Sequence, residues 1–237
     1  MTAYPGRGLH GEVVNQLGLR IIRGDYLPGS ILDTEQLKGE FGVSKTVVRE
    51  TLRVMEAKGL VDSRPKRGTF VRDRDAWNLL DSDVMLWRRL AHRDDDMLLA
   101  NLSELRNFIE PATARLAAIR RTADDLERLE QSIVDLGAAG RDAELLAKAD
   151  LDFHVLLQQA SHNELLVRMD FIVIHAVGAR DRILHQTGKW WRDPVPDHLG
   201  VLEAVRGGDG NDAYRAMVYL LRESNDDLLA GEPPFAS

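Results

Sequence analysis

The sequence predicts a mainly α protein: an N-terminal winged helix-turn-helix followed by an antiparallel all-helical bundle. Three observations carry this. Residues 9–72 present three short helical patterns and then two strand-like runs; the strand signal ends by Trp77; and the basic charge is gathered at the N-terminal end. At 237 residues the chain is long enough for two domains with cores of their own. The expected boundaries are 1–72 for the winged helix, 73–80 for a linker, 81–230 for the helical domain and 231–237 for a flexible tail.

The first helix is read over Leu9–Arg23 from Val13, Val14, Leu17, Ile21 and Ile22, and the turn residues Gly24 to Gly29 stop it. Asp33 is placed to cap a second helix, with Gln36 three residues on as in a capping box, and that helix ends near Gly42. Ser44 caps a third, which runs to about Ala57, where Lys58-Gly59 supplies a terminal cation and a C′ glycine. The runs Leu60–Arg64 and Thr69–Arg72, separated by Pro65-Lys66-Arg67-Gly68, read as a hairpin. Helical patterns follow near 81–92, 98–120, 123–138, 142–161, 163–186, 195–206 and 209–230. Between them lies an irregular loop at 188–197 that carries Trp190 and Trp191.

The net charge of −7 is unevenly distributed. Residues 1–72 hold 12 Lys/Arg against 8 Asp/Glu, and residues 73–237 hold 19 against 30. A basic segment joined to an acidic one suits a protein whose first part alone meets phosphates. The chain has no Cys, which excludes disulfides and thiolate chemistry. No signal-peptide pattern and no membrane-length apolar run are read in it, so a cytoplasmic protein without a membrane partner is expected. There is no Gly-rich phosphate loop, no nucleophile with a flanking base and no HExxH, so no enzyme is expected.

On a wheel of about 100° per residue, the third helix divides. Val48, Leu52 and Met55 form its back; Lys45, Arg49 and Arg53, with Thr46 beside them, form its front. A recognition helix needs an apolar back for the domain and a basic, hydrogen-bonding front for the major groove. Arg49 can grip guanine O6 and N7 together, whereas Lys45 is a point charge suited to phosphate. Lys66 and Arg67 at the hairpin tip can reach the minor groove or the backbone, and Gly68 lets the wing approach closely.

The run PGSILDTEQLKGEFGVSKTVVRETLRVMEAKGLVDSRPKRGTFV resembles the N-terminal domain of the GntR family of bacterial repressors. It carries the Pro-Gly before helix two, the Val-Ser-x-x-x-x-Arg of helix three, the Gly-Leu-Val and the Gly-x-Phe-Val wing, with Lys45 where Arg is usual. The resemblance implies DNA contact by Lys45, Thr46, Arg49 and Gly68.

In the second part, Asp150 and His154 share a helix face at i,i+4, bordered by Leu146, Phe153, Leu157 and Ala160. His198 lies among Val195, Val201, Leu202 and Val205. Spacing alone leaves two readings open: a divalent-cation site, or core histidines with hydrogen-bond partners. Likewise Arg106 and Glu110 at i,i+4 are either a surface or structural ion pair or a carboxylate-gripping arginine with its partner. His175 is either a further ligand or structural, and Asn163 is expected to cap a helix.

The segments SELRNFIEPATARLAA, ADLDFHVLLQQASHNELL and DHLGVLEAVRGGDGNDAYRAM are similar to the FCD effector domain of the FadR subfamily. AWNLLDSDVMLWRR points to its sugar-acid, galactonate-type group. The resemblance covers residues 10–229. It implies Asp150, His154 and His198 as ligands to a Zn-, Ni- or Mn-like ion, with Leu220 where a further histidine is usual, and Arg106 as the grip on a small carboxylate effector. The function it implies is a homodimeric repressor of an aldonate-type catabolic operon, bound to a pseudo-palindromic operator and released by that effector. Two alternatives stand beside it: a regulator of the same family responding to a non-sugar organic acid, and a metal-dependent enzyme acting on a small carboxylate.

Overall fold

The computed structural model describes residues 8–92, 95–140, 142–177 and 193–229. The chain divides into two units between Asp95 and Asp96.

In the first unit, α1 (Leu9–Arg23), α2 (Thr34–Phe41) and α3 (Lys45–Ala57) precede β1 (Val61–Arg64) and β2 (Gly68–Val71). The strands pair antiparallel, Val61 with Val71 through Arg64 with Gly68. The caps form as the sequence predicts: Asp33 accepts from the Gln36 amide and Ser44 from the Val47 amide. Val13, Val14, Leu17, Ile21, Val48, Leu52 and Met55 close over one core with Leu60 and Val71.

A fourth helix, α4 (Ser82–Ala91), belongs to this unit, not to the helical domain that the sequence suggests from residue 81. Three contacts explain it. Trp87 lies against Gly18 of α1 and donates from Nε1 to Asn15 Oδ1 at 3.0 Å. Lys58, just past the end of α3, binds Asp81, the N-cap of α4, at 2.8 Å and Asp83 at 2.6 Å. The Asn78 amide donates to the Lys58 carbonyl at 3.0 Å, so the stretch expected as a linker is held onto the winged helix.

The second unit contains α5 (Asp96–Arg120), α6 (Ala123–Ala139), α7 (Ala143–Ala160), α8 (Glu164–Val167), α9 (helical over residues 170–177), α10 (Val195–Gly207) and α11 (Gly210–Leu229). The single helix expected over 163–186 is interrupted by a turn at 168–169. Asn163 caps α8 as anticipated, accepting from Leu165 and Leu166. Helix α5 packs on α7, α10 and α11, and α6 packs on α7 and α10. Ala114, Ala117, Phe153, Leu157, Val201, Val205, Met217 and Leu220 form the core. Trp190, Trp191 and the expected tail at 231–237 lie outside the described residues; the irregular segment expected to residue 197 is helical from Val195.

A Cβ added at Gly18 would sit 2.4 Å from the Trp87 ring. Gly18→Ala should therefore cost about 1–3 kcal/mol through overpacking. A fall in the urea midpoint checks this; an unchanged midpoint would show that α4 does not need the notch.

Candidate functional site

On the first unit, α3 presents Lys45, Thr46, Arg49 and Arg53 to solvent, and the wing presents Lys66, Arg67 and Gly68. Ser44 caps the helix and its first turn carries no acidic residue, which leaves the amide end favourable to phosphate. The cations are not equivalent. Lys45 Nζ lies 2.8 Å from Glu35 Oε1 and Arg53 lies 2.7 Å from Glu50, whereas no ion pair among the described residues holds Arg49. Arg67 is stacked on Phe70, 3.8 Å from the ring centroid, and Lys66 sits at the turn with φ 64°. Glu35 and Glu50 are the partners that the sequence reading missed. The Glu50–Arg53 pair was visible as an i,i+3 spacing; the Glu35–Lys45 pair spans two helices and had no sequence signal.

In the second unit, α5 contributes Arg106 and Glu110, α7 contributes Asp150 and His154, and α10 contributes His198; all five are at most 6% exposed. One potential ligand atom each from Asp150, His154 and His198 lies within 4.8 Å of the others. Local sequence sets each side chain. Pro194 and Pro196 open α10, and the Pro194 carbonyl accepts from His198 Nδ1 at 2.8 Å. Asp142 caps α7, and the i,i+4 spacing stacks Asp150 under His154. Phe153 meets both imidazoles edge-on, with centroids 5.6 and 4.9 Å away, which fixes the ring planes.

His198 donates from Nδ1 to the Pro194 carbonyl, and its Nε2 lies 2.9 Å from Asp150 Oδ1. A proton or a cation between that nitrogen and that oxygen satisfies both. Nδ1 of His154 lies 2.6 Å from Glu110 Oε2, at ion-pair distance but without hydrogen-bond alignment. Its Nε2 lies 3.3 Å from Arg106 Nη2 and 3.9 Å from Asp150 Oδ1. Arg106 also binds Glu110 through Nε, with Nη2 3.5 Å from Oε2. Burial would raise the Glu110 carboxyl, but Arg106 and then His154 outweigh it and hold it at about 2. The donor set, one carboxylate and two imidazoles with a potential ligand atom each within 4.8 Å of the others, fits a divalent cation.

His175 is buried on α9 but is not part of that three-residue group. Leu220 packs in the apolar core. Arg106 and Glu110, which the spacing left open between surface and site, are buried within it.

A winged helix with an exposed basic reading face, joined to a helical unit with a buried polar site, defines a ligand-responsive type of DNA-binding regulator. Residues 9–71 match the bacterial regulatory proteins of the gntR family and residues 101–223 match the FCD domain, so the chain belongs to the GntR family and carries an FCD domain. It is 34% identical to the galactonate operon transcriptional repressor of Escherichia coli K12 over 92% of this chain and 95% of that one. It is 32% identical to the transcriptional regulator LutR of Bacillus subtilis over 89% and 96%. The fold is shared with Lar of Listeria monocytogenes, with a TM-score of 0.59 at 20% identity over 97% of this chain and all of that one. The protein is thus a transcriptional regulator and not an enzyme. Among the described residues no helix is long and apolar enough to cross a membrane.

Glu110→Gln removes a buried counter-charge of Arg106, so it should cost about 3–5 kcal/mol. Adding Arg106→Met should recover much of that loss, giving a large coupling in a double-mutant cycle of denaturant unfolding. Additive losses would show that the pair does not act as a unit.

Proposed function

We propose that this protein is a homodimeric repressor of a sugar-acid catabolic operon, and that a small carboxylate effector bound at the Arg106/Asp150/His154/His198 site releases it from DNA. The observation that carries the reading is the buried cluster of Asp150, His154 and His198, with His198 Nε2 2.9 Å from Asp150 Oδ1 and Arg106 beside His154. A divalent ion held by Asp150, His154 and His198 would supply a Lewis-acid seat for carboxylate and hydroxyl oxygens. Glu110 orients His154, the Pro194 carbonyl orients His198, and Arg106 offers a planar pair of donors to the same carboxylate. His175 is assigned a structural role. The sugar-acid class rests on the similarity to the Escherichia coli galactonate operon repressor.

At the other end, Arg49 is the base reader, because no carboxylate among the described residues holds it. Thr46, Lys66, Arg67 and Gly68 contact the DNA backbone and adjacent groove, and Arg53 flanks them. Two copies related by a two-fold axis read the halves of a pseudo-palindrome. Effector release requires unequal affinity for the DNA-bound and free states, since equal affinity shifts nothing.

The test begins with duplexes selected from a random library by the full-length protein. Galactonate, gluconate, galacturonate and lactate are then added, with and without zinc. A sugar acid should release the selected duplex, while lactate alone doing so would move the effector to the non-sugar class. No response to any carboxylate would overturn the sensing role. His154→Ala/His198→Ala should bind DNA normally and no longer release it. Arg49→Ala should lose about 1–3 kcal/mol of operator affinity, with specificity relaxed at one position. Undiminished binding by Arg49→Ala, or undiminished release by the double variant, would contradict these assignments.

A further inference from the structure

The three cations on the front of α3 divide into one that no carboxylate among the described residues holds and two that are held. Arg53 is held by Glu50 of its own helix. Lys45 is held by Glu35, which belongs to α2, ten residues earlier in the chain. Glu35 uses both oxygens: Oε1 meets Lys45 Nζ at 2.8 Å and Oε2 meets Lys38 Nζ at 3.2 Å. Lys45 and then Lys38 hold its carboxyl below the ordinary range, so Glu35 stays anionic at neutral pH. All three side chains are about half exposed.

We propose that Glu35 is a specificity-determining residue of DNA recognition: it holds the Lys45 ammonium away from phosphates, so that Lys45 strengthens binding only where a base edge competes for it. The proposal rests on α3 entering the major groove. Non-specific affinity comes from lysines and arginines that neutralise phosphates and release counterions. A lysine already neutralised by a carboxylate releases little, and that carboxylate is itself repelled by the phosphate array. An exposed pair contributes little to stability, so it can bias the lysine and still yield to guanine O6 or N7, or to thymine O4. The pair thereby suppresses binding to arbitrary sequence more than binding to the operator. Arg49, which no carboxylate among the described residues holds, serves both modes.

Full-length wild type, Glu35→Gln, Lys45→Met and the double variant are titrated against a mixed-sequence duplex over a range of salt concentrations. They are also titrated against the tightest duplex selected from a random library. Circular dichroism confirms that each variant is folded, since Asp33 still caps α2. In the wild-type background Lys45→Met should barely change the salt slope on the mixed duplex. Glu35→Gln should steepen it by about one, and the double variant should return it toward the wild-type value. The ratio of selected to mixed affinity should fall several-fold in Glu35→Gln. The proposal is overturned if Lys45→Met alone flattens the slope by about one, if Glu35→Gln leaves slope and ratio unchanged, or if it steepens the slope equally with and without Lys45. Failure of wild type to bind either duplex would instead remove the groove reading beneath it.

Discussion

Glu110 and Asp150, two carboxylates closed off from water in the middle of the helical unit, set the terms for everything around them. Burying such charges is unfavourable unless cations and donors surround them. Arg106 and His154 answer for Glu110, holding its carboxyl at about 2 despite its burial. Asp150 faces His198 Nε2 at 2.9 Å, and with His154 the two groups place potential ligand atoms within 4.8 Å of one another. To bring these groups together, α5, α7 and α10 must converge, and the core built on Phe153, Ala114, Val201 and Leu220 holds them there. The Phe153 ring links the two requirements, since it fills the core and fixes both imidazole planes.

Much of this was legible in the residues. Apolar periodicity gave α1, α3 and the helices of the second unit, and Asp33, Ser44 and Asn163 cap the helices expected of them. The i,i+4 spacings of Asp150/His154 and Arg106/Glu110 correctly put each pair on one face. What spacing cannot give is the meeting of faces from different helices. Whether Arg106 was a surface ion or a buried one depended on α5 packing against α7, and the 3.3 Å contact from Arg106 to His154 joins residues 48 apart. The Lys45–Glu35 pair joins α2 to α3 and was invisible for the same reason.

The placement of α4 was illegible in another way. Its amphipathic pattern says that one side is buried, not against what. Gly18, unremarkable within α1, is the notch that admits Trp87, and Lys58, read only as a terminal cation, binds the two carboxylates at the start of α4. The boundary between units therefore falls at Asp95/Asp96 and not at the stretch 73–80, where the end of the strand signal suggested it. The interruption at 168–169 went unseen because the sequence LVRMD carries neither glycine nor proline there.

The central proposal is that a metal-organised carboxylate site in the acidic helical unit governs the basic winged helix. The most direct test is anomalous diffraction from crystals of the full-length protein grown with manganese or zinc, with data collected at the absorption edge of the added metal. The account predicts a strong buried peak in contact with an Asp150 oxygen and with Nε2 of both His154 and His198. Peaks confined to surface residues, with nothing between Asp150 and the two imidazoles, would contradict it.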